Sequence, residues 1–176
     1  FGSDLEKISA ALGPHRSRGT TRSVLSIVSD SIESMTHSLD AIAKFSQRDS
    51  RVLGSHIEGP FLSEDFRGAH DATAIRSPKQ KDVEELLEAA DGTMVQVTIA
   101  PELQGADSAI DMFLDHDVRV AVGHSDSTYS EAQRAFNQGA TILTHAFNAM
   151  RPIHHREPGP IIAAFEDSRV TLEFIL

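Results

Sequence analysis

VRVAVGHSDSTYSEAQRAFNQGATILTHAFNAM, residues 118–150, contains one full repeat of the pattern that decides the fold. An apolar, β-branched run (Val118–Val122) is followed by a polar turn, an amphipathic segment and a second apolar run (Thr141–Thr144). Thr128 and Glu131 have the spacing of a reciprocal helix cap, and Gly139 supplies a residue without Cβ where a helix must end. Both apolar runs stop at a histidine, His124 and His145.

The same unit recurs on either side. Strands are expected at Val24–Val28, Val52–Ile57, Met94–Ala100, Val118–Val122, Thr141–Thr144 and Val170–Leu176. Most are continuous apolar runs, as for parallel strands buried on both faces. Helical stripes lie between them. Ser77, Pro78 and Gln80 read as N-cap, first-turn proline and capping partner for a helix ending at Gly92. Asp30 with Glu33 opens another helix, and Ala106, Ile110, Phe113 and Leu114 form a third stripe. Leu5, Ile8 and Leu12 form a fourth, which Gly13-Pro14 is expected to stop. Repeated βα units with strands 25–45 residues apart leave two architectures: an open doubly wound sheet, or most of a (β/α)8 barrel. A complete barrel takes about 250 residues. The 176 residues here, at first sight one ordinary domain, suit six of eight units.

Composition narrows the chemistry. With 40% hydrophobic and 24% charged residues the chain can bury a core, which excludes a disordered or fibrous protein. A net charge of −10 argues against a surface built for nucleic acid. No apolar run approaches the roughly 18 residues of a membrane span, and no basic-plus-apolar leader is present. Zero cysteines exclude thiolate ligands and nucleophiles, so any metal must be held by histidine and carboxylate; nine histidines are available.

In a barrel the active site forms at the C-terminal strand ends. Three runs end there in ionisable residues: His56-Ile57-Glu58-Gly59-Pro60-Phe61, Gly123-His124-Ser125-Asp126 and Thr144-His145-Ala146-Phe147-Asn148-Ala149-Met150. Glu58, His124 and His145 thus reach one edge from three strands. Two imidazoles and a carboxylate with an open position are the donor set of a catalytic zinc or similar divalent ion. Each alone has a blander explanation, since a histidine at a strand end is more often a hydrogen-bonded core or loop residue and Glu58 could cap a turn. The threefold coincidence favours the metal. His56 faces away from Ile57 and is expected beside Glu58, in support of it.

The polar segment Ser63–Ser77 carries Arg67-Gly68-Ala69-His70, where His70 either orients a substrate and polarises a carbonyl or is a plain loop histidine. Arg151 and His154-His155-Arg156-Glu157-Pro158-Gly159 bring positive charge suited to phosphate or carboxylate, or to an ion pair with Glu157. Ser125 and Asp126 shape the turn or orient His124, and Glu102 is a turn residue or a carboxylate behind the site. Gly123-His124-Ser125-Asp126-Ser127 departs from the serine-hydrolase elbow G-x-S-x-G at Ser127, and no G-x-G-x-x-G or P-loop occurs.

Taken in order, His56–Phe61 with Gly68-Ala69-His70, Thr98-Ile99-Ala100-Pro101-Glu102, Gly123–Asp126, Thr144–Met150 and Arg156-Glu157-Pro158-Gly159 resemble the N-acetylglucosamine-6-phosphate deacetylases of the amidohydrolase superfamily. The resemblance implies a metal-dependent (β/α)8 barrel that removes acetate from N-acetylglucosamine 6-phosphate. It implies Glu58, His124 and His145 as ligands to one or two divalent ions, most simply Zn2+. It also implies Ala69, His70, Asn148 and Ala149 as substrate contacts and Arg156 as the phosphate ligand. A cytoplasmic homodimer acting on a phosphorylated amino sugar, without nucleic acid or membrane, goes with it. The six strands would be the second to seventh of the barrel, and residues 1–176 a partial catalytic domain. The first strand, the small β-sandwich and the acid–base aspartate of the last strand would lie outside this sequence, the aspartate beyond Leu176. Asp126, Asp71 and Glu102 do not stand on the matching strand. Two rivals are a sibling amidohydrolase acting on another amide or cyclic imide, and a catalytically inactive sugar-phosphate-binding barrel.

Overall fold

The computed structural model describes residues 2–175. Six strands alternate with helices: α1 (Leu5–Ser17), β1 (Ser23–Val28), α2 (Ile32–Arg48), β2 (Val52–Glu58), α3 (Gln80–Ala90), β3 (Met94–Ile99), α4 (Ala106–Asp115), β4 (Arg119–Val122), α5 (Tyr129–Gln138), β5 (Ile142–Leu143), α6 (Gly159–Phe165) and β6 (Thr171–Leu172). All pairings are parallel and the spatial order is β1-β2-β3-β4-β5-β6. A doubly wound sheet reverses its strand order at a switch point. Here there is no reversal, so the chain is an incomplete (β/α)8 barrel of about six units. No helix among the described residues is long and apolar enough to cross a membrane.

Leu25, Ile27, Ile57, Val97, Ile99, Val120, Val122 and Leu143 belong to one buried core with the inward stripes of the helices, such as Met35, Leu39 and Ile42 of α2. The opposite, concave face differs from the expected apolar runs. It opens as a cavity of about 350 Å³ lined in part by Ser26, His56, Gln96 and Thr144. Its β1 margin is exposed, with Val24 at 40% and Val28 at 59%. Strand continuity in the sequence therefore hid an alternation between an apolar outer face and a largely polar inner one.

Several ends shift from expectation. The Thr128–Glu131 capping box and the Gly139 stop are present. The α2 N-cap is Ser31, one residue later than Asp30, whose carboxylate accepts from Ser31 N–H and the Ser34 hydroxyl. Helix α3 starts at Gln80 behind Lys79, without the expected Ser77 cap. Pro78 instead packs its carbonyl where a Cβ on Gly105 would come within 2.7 Å, and Gln80 donates forward to Glu84. Helix α1 continues through Pro14, held by Ser17 donating to the Pro14 carbonyl and by a 2.8 Å Arg16–Asp49 ion pair. The short α6, beginning Gly-Pro, is unheralded by periodicity. Strand β6 is regular only at Thr171–Leu172; beyond it Glu173 still donates its N–H to the Leu143 carbonyl and accepts from Ala146 N–H, and Leu176, the expected strand end, lies outside the described residues.

One glycine sets the spacing of the inner layer. Thr98 at β3 and Thr144 after β5 hydrogen bond through their hydroxyls at 3.0 Å although β4 runs between them. They can meet because the residue at that level, directly after β4, is Gly123, where a Cβ would lie 2.8 Å from both Thr144 Cβ and Thr98 Cγ2. Gly123→Ala should destabilise the fold by about 1–3 kcal/mol through overpacking, measured as a lowered urea midpoint; an unchanged midpoint would contradict this packing role.

Candidate metal centre

Glu58 ends β2, His124 follows β4 by two residues and His145 follows β5 by two, so three strand ends deliver the side chains the sequence singled out. They converge. Glu58 Oε1 is 3.2 Å from His124 Nε2 and 3.1 Å from His145 Nε2, and the two nitrogens are 3.0 Å apart. The three donor atoms form a group that could hold a metal ion. Side-chain exposure is 20% for Glu58, 7% for His124 and 16% for His145, so the cluster is largely removed from water while one side stays open.

The donor chemistry fits a divalent cation. His124 Nδ1 sits 2.9 Å from the Phe66 carbonyl, which only an N–H can satisfy; Nε2 therefore carries the lone pair and points into the cluster. Tetrahedral ligands at 2.0–2.1 Å from zinc are about 3.3 Å apart, close to the spacing found. With no cation or proton between them, two lone pairs and a carboxylate at this distance repel. The imidazoles facing it, first His124 and then His145, hold the Glu58 carboxyl well below the usual carboxylate range. Glu58 in turn pushes His145 up. His145 Nδ1 is buried and has no partner among the described residues.

Backbone shape presents the ligands. His124 (φ 48°), His145 (φ 31°), Phe147 (φ 75°) and Ala149 (φ 47°) are all left-handed. Such residues cost about 1–3 kcal/mol each and persist where surrounding bonds over-determine them. Ser63 N–H donates to the His124 carbonyl at 2.9 Å, and Asn148 N–H to the His145 carbonyl at 2.9 Å. Below the cluster runs a hydrogen-bonded row across the inner face: Ser26 Oγ to His56 Nδ1 (3.0 Å), His56 Nε2 to Thr98 Oγ1 (2.9 Å), then Thr144. His56 is thus beside Glu58, as its strand parity predicts, but it bonds hydroxyls and not the carboxylate, and burial pushes its pKa down. Thr98, Thr144 and Gly123 were not singled out for this role, since their importance lies in contacts across an intervening strand.

The loop residues are divided. His70 is buried with its ring centroid 4.6 Å from that of His124, edge to face. Ser29 faces His70 Nδ1 with both its N–H (3.3 Å) and its hydroxyl (2.8 Å), which leaves Nε2 turned away from Ser29; burial and the neighbouring His124 push this imidazole's pKa down. Gly68, at φ 58°, lies where a Cβ would be 3.3 Å from His124 Cε1 and 3.8 Å from Ala149 Cβ, so the 68–70 turn and Ala149 flank the cluster. Ala69 is exposed, and Asn148 donates its side-chain amide to the His145 and Ala146 carbonyls. Arg156 lies exposed on the 154–157 turn and forms no ion pair among the described residues. The alternative reading, an arginine–Glu157 ion pair, does not form among the described residues: Arg151 pairs with Asp126 at 2.9 Å, and Glu157 accepts from Tyr129 and Gly159 N–H. Ser125 is wholly buried and donates to Glu102, while both nitrogens of His124 are engaged elsewhere, so no serine nucleophile is assembled.

A parallel α/β chain wound in sequence order, with a His-His-Glu cluster at its carboxyl strand ends, is a partial barrel of the metal-dependent hydrolase type. No protein-family model matches it. Among curated proteins it is 35% identical over 168 residues to N-acetylgalactosamine-6-phosphate deacetylase of Escherichia coli O157:H7, covering 93% of this chain and 45% of that protein. It is 42% identical over 121 residues to N-acetylglucosamine-6-phosphate deacetylase of Danio rerio, covering 68% of this chain and 30% of that protein. Among solved structures, N-acetyl-D-glucosamine-6-phosphate deacetylase of Mycobacterium smegmatis superposes with a TM-score of 0.94 at 41% identity, covering 98% of this chain and 45% of that one. An Asp-to-Ala variant of that enzyme, solved in complex with N-acetyl-D-glucosamine-6-phosphate, superposes with the same TM-score. The chain is a homologue of the N-acetylglucosamine-6-phosphate deacetylases over nearly its whole length, and it spans less than half the length of these relatives.

Zn2+ at about 100 times its Kd should add about 2.7 kcal/mol to the stability of the protein, read as a raised thermal midpoint. Glu58→Ala should abolish that increment; a variant that kept it would place the ion elsewhere.

Proposed function

We propose that the protein of which this chain is part hydrolyses the acetamide of N-acetyl-D-glucosamine 6-phosphate to D-glucosamine 6-phosphate and acetate. The observation that carries this is the convergence of Glu58, His124 and His145 within 3.2 Å of one another in a fold shared with solved deacetylases. Residues 1–176 are assigned to its catalytic barrel domain. The deacetylase names of the relatives favour this over a sibling hydrolase or an inactive binding barrel.

Glu58, His124 and His145 would hold Zn2+, one or two ions per subunit, since imidazole and carboxylate without thiolate suit a catalytic zinc site. A divalent ion there supplies Lewis acidity and makes hydroxide available near neutral pH. His70, its Nδ1 facing Ser29, offers Nε2–H to the acetamide oxygen as negative charge develops. Ala69, Asn148 and Ala149 are assigned to sugar contacts. The guanidinium of Arg156, without an ion pair among the described residues, is assigned to bidentate capture of the 6-phosphate. Asp126 is tied to Arg151 and Asp71 caps its own turn at Thr73, so transfer of a proton to the leaving amine is assigned to an aspartate elsewhere in the whole protein. A cytoplasmic homodimer completes the reading.

Chelation should abolish acetate release from N-acetylglucosamine 6-phosphate and Zn2+ should restore it; undiminished activity in metal-stripped protein would sink the mechanism. Arg156→Ala should raise KM for the phosphorylated sugar at least tenfold and leave the unphosphorylated sugar unaffected. Equal losses on both would remove the phosphate assignment.

A further inference from the structure

We propose that Glu102 is a positioning residue that fixes His124 by clamping the loop that follows it, an inference resting on the metal reading of the Glu58–His124–His145 cluster. Glu102 stands in the turn after β3, half-buried, and among the described residues its side chain bonds Ser125 and Asp126, not the cluster. Its two carboxylate oxygens are divided between consecutive residues of the next loop: Oε2 accepts from the Ser125 hydroxyl at 2.7 Å and Oε1 from Asp126 N–H at 2.6 Å. Ser125 Oγ also accepts from Ser127 N–H at 3.0 Å, so one carboxylate and one hydroxyl organise three residues directly after the ligand.

The clamp extends to the loop of the other histidine. Ser125 N–H donates to the Ala149 carbonyl at 3.2 Å and Arg151 N–H to the Ser125 carbonyl at 3.1 Å. The Arg151 guanidinium reaches Asp126 Oδ1 at 2.9 Å. Glu102 thus fastens the loop after β3 to Ser125 and Asp126, the two residues that in turn bond the loop after β5. His124 is left-handed and needs restraint on both sides. Upstream residues provide one side, through Ser63 N–H on its carbonyl and the Phe66 carbonyl on its ring. Downstream, Glu102 holds the Ser125 hydroxyl and the Asp126 N–H, beside the backbone bonds to Ala149 and Arg151 and the Arg151–Asp126 pair. Removing that carboxylate strands two donors, the Asp126 N–H and the fully buried Ser125 hydroxyl, and the loop must rearrange to satisfy them. Burial pushes the Glu102 carboxyl above its ordinary value, so this placement carries a cost that a simple surface turn would not need.

The test is Zn2+ affinity of the intact protein, measured by competition with a chromogenic chelator well below the thermal midpoint. Glu102→Ala should weaken binding about 10–100-fold, the usual penalty for losing a group that orients a ligand. Glu102→Gln, which keeps an acceptor for Asp126 N–H, should stay within about threefold of wild type. Should Glu102→Ala fail to fold, Ser125→Ala, which removes one of the two Glu102 bonds together with the acceptor of Ser127 N–H, should show a loss of affinity that Ser125→Thr, which keeps the hydroxyl, does not. Wild-type affinity in whichever of Glu102→Ala and Ser125→Ala folds would overturn the proposal, as would a Glu102→Gln variant impaired as much as Glu102→Ala. Absence of Zn2+ binding by the wild-type protein would instead refute the metal reading itself, which separates the two failures.

Discussion

Two imidazole nitrogens and a carboxylate oxygen sit about 3 Å apart at the open end of a parallel sheet, and much of the surrounding structure is arranged around holding them there. Groups that close and that poorly hydrated repel unless a proton or a cation lies among them. The carboxylate and the imidazoles bias one another toward opposite charge: the two histidines hold the Glu58 carboxyl well below the usual carboxylate range, and Glu58 pushes His145 up. Left-handed backbone at both histidines adds strain that adjoining hydrogen bonds must offset.

That support comes in two tiers. Beneath the ligands, the Ser26–His56–Thr98–Thr144 row crosses the sheet, and each cluster residue lies one or two positions beyond a member of the row or beyond Gly123. Gly123 matters because the row must pass over the end of β4, where any Cβ would collide with both threonines. Around the ligands, the loops after β2, β4 and β5 are bonded to one another as well as within themselves. Phe66 orients one histidine ring, Ser29 orients His70, and Ser125 joins the loop after β4 to the one after β5. The strand ends set where the donors arrive, and the loop bonds set which nitrogen faces the cavity.

Much of this was legible in the chain itself. All six strands form where apolar, β-branched runs occur, because burial against helices selects those residues whatever their neighbours. The Thr128–Glu131 cap forms because both partners lie within one helical turn. Legibility failed where a signal could be overruled from a distance: Pro14 is carried through α1 by Arg16 pairing with Asp49, and Pro78 serves packing against Gly105 in place of a helix start. The inner face read as apolar because continuous runs do not reveal that one side packs on helices and the other faces polar groups.

The sequence by itself determined the βα repeat and placed Glu58, His124 and His145 at strand ends, since strand period, turn chemistry and residue type are local properties. It also identified the deacetylase resemblance that the comparisons support. Only the tertiary structure decided that the strands are wound in a single order, that residues 66 and 21 positions apart converge on one point, and that Arg151 pairs with Asp126 while Arg156 stands without an ion pair among the described residues. Those outcomes depend on distances between residues remote in sequence, and such distances exist only once the helices have packed the strands into one curved sheet.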